Sequence, residues 1–135
     1  MIVVEFTVEG PPISHQTHDK GNLQTWKQAV RAAATKVWSN PPLTGPLKFI
    51  LMNFHVGATA PLDDDNMAKP IRAALNGLVY QDDKQITHAE HAQTNIDALF
   101  QIRGASLVLL EAFHRGKEFV YIRVEPAPPH TQLPK

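Results

Sequence analysis

Two clusters of acidic side chains in one short segment constrain this chain more than any other feature of its sequence. Residues 61–85 hold five of the thirteen acidic residues. Like charges repel, so the clustering needs a compensating partner. Carboxylates two residues apart, backed by a third about twenty residues later, suit a hard divalent cation such as Mg²⁺, which takes oxygen ligands and keeps several waters. The acidic residues of the segment are Asp63, Asp64, Asp65, Asp82 and Asp83.

The spacing between the clusters predicts that they meet. A helix over residues 66–76 would be roughly 16 Å long at about 1.5 Å per residue. Gly77 would end it, because glycine accepts the left-handed conformation found at helix ends. Residues 78–81 would then run extended over much the same distance, at about 3.3 Å per residue. We therefore expect the second acidic pair to return to the start of the helix, beside the first cluster.

Three further residues of the segment have predicted positions. Lys69 comes four residues after Asp65, so it lies one turn along the same helical face and points toward an anion held there. Pro70 falls near the first turn, where a proline is tolerated. Asn66 could hold a carboxylate in place or cap the helix, and capping is the favoured interpretation.

Residues 63–86, DDDNMAKPIRAALNGLVYQDDKQI, resemble the signature of the RusA family of Holliday junction resolvases. The shared elements are an Asp-x-Asp-Asn start, a lysine four residues after the second aspartate, a Leu-Asn-Gly helix end and an Asp-Asp-x-Gln-Ile close. The resemblance implies a small homodimeric endonuclease that cuts four-way DNA junctions with Mg²⁺, or with Mn²⁺ as a substitute. It assigns the catalytic and metal-binding carboxylates to Asp63, Asp65 and Asp83, and an essential lysine to Lys69.

The sequence departs from the family pattern at three places. Ala73 replaces an acidic residue of many relatives, and Asp64 replaces an apolar one. The C-terminal third is longer than in compact members, which bears on the dimer surface and the substrate.

The predicted chemistry is a metal-assisted displacement at phosphorus. Two metal ions about 4 Å apart can activate water, neutralise the phosphoryl oxygens and stabilise the leaving 3′ oxygen. Asp64, Asn66 and Asp82 are candidates for supporting the metal ligands. A structural alternative for the first acidic cluster is a helix N-terminus whose dipole attracts one or two of the acids. The alternative functions are a nuclease for flaps or forks and a junction-binding protein without catalysis.

The formal net charge of zero hides a basic remainder. Outside the two clusters the chain has thirteen basic and eight acidic residues, a net charge of +5 that favours binding to phosphates. Charged side chains at the surface are the competing explanation for each candidate DNA contact, and for His15 and His18 in the loop before the first helix. The candidate DNA-binding residues are Lys20, Lys27, Arg31, Arg115 and Lys117.

The rest of the chain predicts a single α+β domain. Alternating apolar residues give strands over residues 2–9 and 47–56, and a third strand is expected over residues 85–93. Apolar spacings of three and four give a helix over residues 23–38, on Leu23, Trp26, Val30, Ala33 and Val37. Residues 107–112 and 118–124 are interpreted as a hairpin across a basic turn. The expected fold is a mixed sheet of about five strands with two main helices on one face. An endonuclease domain over residues 1–125 would precede a proline-rich, disordered tail over residues 126–135.

Composition limits the classes of protein to consider. The chain has no cysteine, which excludes disulfides and thiolate metal sites and is compatible with a reducing cytoplasm. No apolar run reaches the roughly 20 residues that span a bilayer, and the first ten residues have neither a basic region nor a cleavage site, so we expect neither a membrane span nor a secretory leader. We expect a cytoplasmic protein of bacterial or phage origin, without a membrane partner or an organic cofactor.

Overall fold

A four-stranded mixed sheet organises the fold. The computed structural model describes residues 3–57, 62–98, 100, 104–131 and 134. Strand β2 pairs in parallel with β3 and antiparallel with β4, and β4 pairs antiparallel with β1, so the strand order is β1-β4-β2-β3. The predicted α+β class is confirmed, with four strands rather than about five. In chain order the elements are β1 (Val4–Glu9), α1 (Lys20–Val37), β2 (Leu47–His55), α2 (Asp64–Ala74), a 3₁₀ turn (Asp83–Gln85), β3 (Ile86–Asn95), α3 (Leu107–Arg115) and β4 (Phe119–Pro126).

Strand β2 is central because both of its faces are apolar. Phe49 and Leu51 are fully buried in the core cluster that also contains residues of α1 and α2. Phe54, with Ile50 and Met52 beside it, belongs to a second cluster formed with α3. Full burial of each such side chain stabilises the fold by about 1.5–3 kcal/mol. Helices α1 and α2 therefore pack on one face of the sheet, as predicted, while α3 covers the other face.

Helix α1 buries most of its predicted apolar stripe. Leu23, Trp26 and Val30 are buried, but Val37 is 52% exposed. The helix ends at Val37, and the extended Trp38 that follows turns its ring into the core instead. The change of backbone conformation at the helix end thus buries Trp38 in place of Val37, the fifth residue of the predicted apolar stripe.

The predicted hairpin over residues 107–124 is wrong in its first half, because Leu107–Arg115 is helix α3. Ser106 caps the helix by accepting a hydrogen bond from the Leu109 N–H at 3.2 Å. Gly116 ends it in the left-handed conformation, with φ 71°. A continuous run of apolar residues has no clear period, so it is compatible with a helix or a strand. The two caps, rather than the run itself, select the helix. The aromatic ring of Phe113 then packs on Phe54.

The end of the chain continues from β4. Pro126 pairs with Leu47 as the last residue of the strand, and the Ala127 N–H donates to the Pro46 carbonyl at 3.0 Å. The boundary at residue 125 and the disordered tail beyond it stay predictions. Among the described residues, no helix is long and apolar enough to cross a membrane.

Candidate active site

The first acidic cluster forms the N-terminal end of helix α2. The helix begins at Asp64, two residues earlier than predicted, and Asp63 is its N-cap residue without a side-chain capping bond. Asp63, Asp64 and Asp65 are all exposed. The positive end of the helix dipole favours them there. Asn66 lies inside the helix, so its predicted role as the cap is wrong.

Gln93 of β3 holds the entry to this helix. Its amide nitrogen donates to the Leu62 carbonyl at 2.6 Å and to a carboxylate oxygen of Asp64 at 2.9 Å. Its amide oxygen accepts a long hydrogen bond, 3.4 Å, from the side chain of Asn53, which is 1% exposed on β2. Gln93 is half-buried and anchored in this way to the buried Asn53, so it orients the acidic turn without belonging to it.

The parallel strands β2 and β3 end in polar side chains near the same helix N-terminus. His55 is 5% exposed, and its Nδ1 has no hydrogen-bond partner among the described residues. Asn95, which pairs with His55 across the strands, donates from its amide to the Gly57 carbonyl. The sequence reasoning missed Asn53, His55, Gln93 and Asn95. The available signal was the appearance of Asn53 and His55 at the end of a strand that is apolar from Phe49 to Met52.

Pro70 fastens the loop after β1 to helix α2. It is the seventh residue of the helix, so the prediction that it falls near the first turn is wrong. Proline has no N–H to donate to the carbonyl four residues earlier. That carbonyl belongs to Asn66 and accepts instead from the His15 N–H at 2.9 Å. The loop that contains His15 and His18 is thereby attached beside the acidic cluster.

The second acidic pair lies at the opposite end of helix α2. Residues 75–80 coil tightly: the Leu78 and Val79 N–H groups both donate to the Leu75 carbonyl at 3.1 Å, and the Gly77 N–H donates to the Tyr80 carbonyl at 2.7 Å. The predicted extended return is therefore wrong. The backbone carbonyl of Asp83 accepts from the guanidinium of Arg72, near the C-terminal end of the helix, at 3.3 Å.

Strand β3 gives the separation of the two clusters. Asp83 precedes the first residue of β3, whereas Asp64 is bonded to Gln93, seven residues after that first residue. Seven residues of strand at about 3.3 Å each span roughly 23 Å. Accordingly, no three metal-binding side chains come together among the residues that the structure describes. Asp63, Asp64 and Asp65 follow one another at the N-terminal end of α2, and Asp83 does not join them.

Asp82 and Tyr80 have structural partners. The Asp82 carboxylate caps the 3₁₀ turn by accepting from the Lys84 N–H at 2.8 Å, which lowers the pKa of that carboxyl group. Tyr80 is fully buried, and its hydroxyl donates to the Arg72 carbonyl at 2.6 Å. Burial, and next the charge of Asp83, raises the pKa of Tyr80 well above its usual range.

Lys69 and the candidate DNA-binding residues are distributed over several surfaces. Lys69 is exposed one turn after Asp65, as predicted. Lys20 is the first residue of α1, which follows the end of β1, and Lys117 comes just before the start of β4. Both of these strand ends lie on the side of the sheet that carries the acidic cluster. The DNA-binding role of all five basic residues stays a prediction.

Two of these basic residues already have partners within the chain. The Arg31 guanidinium donates to the Ala74 and Asn76 carbonyls at 2.9 and 3.0 Å, which closes the C-terminal end of α2. Arg115 donates to the Thr7 hydroxyl at 3.1 Å. His88 and His91 of β3 pair with Lys48 and Leu51 of β2, which lie on opposite faces of the sheet.

Comparison with known proteins identifies the family. A search of curated proteins finds no match. The family model described as Endodeoxyribonuclease RusA matches residues 7–98, which is more than half of the chain and includes both acidic clusters and Lys69. The chain belongs to the RusA family of endodeoxyribonucleases.

Proposed function

We propose that this chain is a Mg²⁺-dependent nuclease that resolves four-way DNA junctions by paired phosphodiester cuts in recombination and repair, acting as a homodimer. The match to the RusA family over residues 7–98 carries the proposal. The proposed catalytic and metal-binding residues are Asp63, Asp65 and Asp83, with Lys69 as the catalytic lysine and Asp64, Asn66 and Asp82 in support. Mn²⁺ is the expected substitute metal.

The donor set for the metal is incomplete within one chain. Asp63 and Asp65 supply exposed carboxylates, which are the hard oxygen ligands that Mg²⁺ takes. Asp83 lies at the far end of β3 and adds nothing to them. The three proposed ligands therefore do not fit a metal in a single copy.

The chain's own charges support a nucleic-acid substrate. Lys69 places an ammonium group one turn from Asp65, where it would attract a phosphate of the cut strand. Lys20 and Lys117 add positive charge at the same end of the sheet. Binding through such contacts releases counterions, so affinity should fall steeply with salt. A four-way junction has approximate two-fold symmetry, which suits a two-fold dimer that makes two cuts.

The deciding experiment uses an end-labelled synthetic four-way junction, incubated with the protein in MgCl₂, MnCl₂ or EDTA. A flap, a replication fork and a linear duplex of the same sequences serve as matched substrates. We expect two symmetric cuts in the junction with either metal and no cutting in EDTA. Faster cutting of the flap or fork would assign the activity to another branched DNA.

A gel-shift assay in CaCl₂ separates catalysis from binding. Junction binding in CaCl₂ together with cutting in MgCl₂ supports the nuclease. Binding without any cutting would instead assign the chain to the catalytically silent junction-binding proteins. Glu111→Gln, which removes an exposed carboxylate from α3 on the other face of the sheet, is the matched control for variants of the acidic residues.

A further inference from the structure

His15 is attached to helix α2 by its backbone, directly beside the acidic turn. Its N–H donates to the Asn66 carbonyl at 2.9 Å. A helical carbonyl points toward the residue four positions later, so this bond places the backbone of His15 between the turns of Asn66 and Pro70. Asp65 and Lys69 precede these two residues in the helix. The backbone of His15 is therefore fixed next to the turns that carry a proposed metal ligand and the proposed catalytic lysine.

The segment around His15 is braced on both sides of the attachment. Ile13 packs against the main core. The Thr17 N–H donates to the Ser14 carbonyl at 3.1 Å, which closes a turn with His15 at its second position. Asp19 then caps helix α1 by accepting from its first turn. The side chain of His15 is exposed on this braced backbone, so little backbone freedom is lost when the imidazole contacts a ligand.

The acidic turn needs hydrogen-bond donors beside it if it is to receive DNA. Asp63, Asp64 and Asp65 are exposed, and no ion pair reaches them in the part of the chain that the structure describes. A DNA phosphate that approaches these carboxylates is repelled by their charge. Lys69 supplies one positive group. A histidine supplies at least one N–H donor in either protonation state, so it can also bind a phosphate oxygen.

We infer that His15 is a further catalytic residue, whose imidazole donates a hydrogen bond to an oxygen of the phosphate received at the acidic turn. The inference rests on the proposed function, in which that turn meets the DNA strand to be cut. An exposed histidine in a loop is by itself ordinary. The attachment to Asn66 distinguishes His15 from His18, which is exposed on the same segment and has no hydrogen bond to α2 among the described residues.

Removal of the imidazole tests the contact. His15→Ala should slow single-turnover cutting of the four-way junction in MgCl₂ about tenfold, the loss expected for one hydrogen bond to a charged group. His15→Asn keeps an N–H donor and should recover most of the rate. Unfolding in urea should be unchanged in both variants, because the attachment uses only the backbone. Full cutting by His15→Ala would overturn the inference.

Two other exposed histidines provide matched controls. His18 lies on the same segment, and His114 lies near the end of α3 on the other face of the sheet. Alanine at either position should leave cutting within about twofold of the wild type, because neither residue is attached beside the acidic turn. Equal losses in His15→Ala and His18→Ala would overturn the specific role of His15. A wild-type chain that cuts no branched DNA would instead overturn the proposed function, and this inference with it.

Pro70 allows the attachment itself to be tested. Pro70→Ala restores an N–H that competes for the Asn66 carbonyl, so His15 loses its fixed position. Cutting by the folded chain should slow about fivefold. In the His15→Ala background the same substitution should have no further effect, because the group that it displaces is already absent. An equal loss in both backgrounds would show that Pro70 acts independently of His15 and would overturn the inference.

Discussion

The two ends of helix α2 are built in opposite ways. At the C-terminal end the carbonyls are taken by Arg31 and Tyr80, and Leu75 and Val79 are fully buried. At the N-terminal end the acidic turn is exposed and held mainly by Gln93. One helix thus has a closed end that is packed into the core and an open end that is exposed to solvent. Substitutions at the closed end should therefore change stability, and substitutions at the open end should change activity.

The largest expected effect is at the open end. Asp65→Asn keeps the size of the side chain but removes its charge, so the proposed metal site loses a ligand. We expect junction cutting to fall by roughly 1,000-fold, which corresponds to ~4 kcal/mol of transition-state stabilisation. Unfolding by urea should change little. Single-turnover cutting beside Glu111→Gln gives the measurement, and full activity in Asp65→Asn would contradict the assignment.

At the closed end the largest expected effect is on the free energy of unfolding. Leu75→Ala removes a side chain that is fully buried where the helix ends. Truncation of a buried leucine should lower the free energy of unfolding by ~3 kcal/mol. Urea titration followed by circular dichroism measures this change. Junction cutting by the fraction that remains folded should match the wild type, and a selective loss of cutting would break the division between the two ends.

Arg31 tests the same division, because it is also a candidate DNA contact. Arg31→Met keeps the aliphatic stem but leaves the Ala74 and Asn76 carbonyls without their charged donor. We expect stability to fall by ~1.5 kcal/mol, as for hydrogen bonds to charged groups. Lys27→Met, one turn earlier on α1, is the matched control. If Arg31→Met instead weakens junction binding in CaCl₂ with stability unchanged, the residue acts on DNA.

A smaller effect is expected from the support of the open end. Gln93→Leu removes the donors to the Leu62 carbonyl and to Asp64, so the acidic turn loses its anchor. Cutting should slow about fivefold, equivalent to ~1 kcal/mol. The slope of cutting rate against MgCl₂ concentration provides the second measurement, since a displaced ligand weakens metal binding. An unchanged magnesium dependence would show that Gln93 does not orient the acidic turn.

The smallest predicted effect is a loss of stability at alkaline pH. Folding favours the neutral form of Tyr80, so its pKa in the folded chain lies above the unfolded value of about 10. Its contribution is complete below that value and declines as pH rises through it. At pH 10 the wild type should have lost ~0.4 kcal/mol relative to Tyr80→Phe. Thermal unfolding of both proteins between pH 8 and pH 10 measures the difference, and parallel curves would contradict it.

The sequence predicted what depends on local patterns. Alternation gave β1 and β2, apolar spacing gave α1, and the acidic turn with its helix came from the motif at residues 63–86. Two failures came where the end of a helix overrides the apolar pattern. Val37 obeys the helical period yet is exposed, because the helix stops there and Trp38 turns inward. The caps at Ser106 and Gly116 likewise outweigh an apolar run that resembles a strand.

The relation between the two acidic clusters could not be obtained from spacing alone. Equal lengths of helix and extended chain allow a return, but they do not require it. The coil at residues 75–80 is selected by burial of Leu75, Val79 and Tyr80, which only the assembled core provides. Gln93 and Asn53 were missed for the same reason, since their hydrogen bond joins residues forty positions apart.

Pro70 adds a mechanical consequence to this arrangement. Because Pro70 has no N–H, the Asn66 carbonyl has no partner within the helix and accepts from the His15 N–H instead. The segment between β1 and α1 is therefore tied to the turn that carries the acids. Any displacement of the segment between β1 and α1 would therefore be transmitted through this hydrogen bond to the turn that carries Asp63, Asp64 and Asp65.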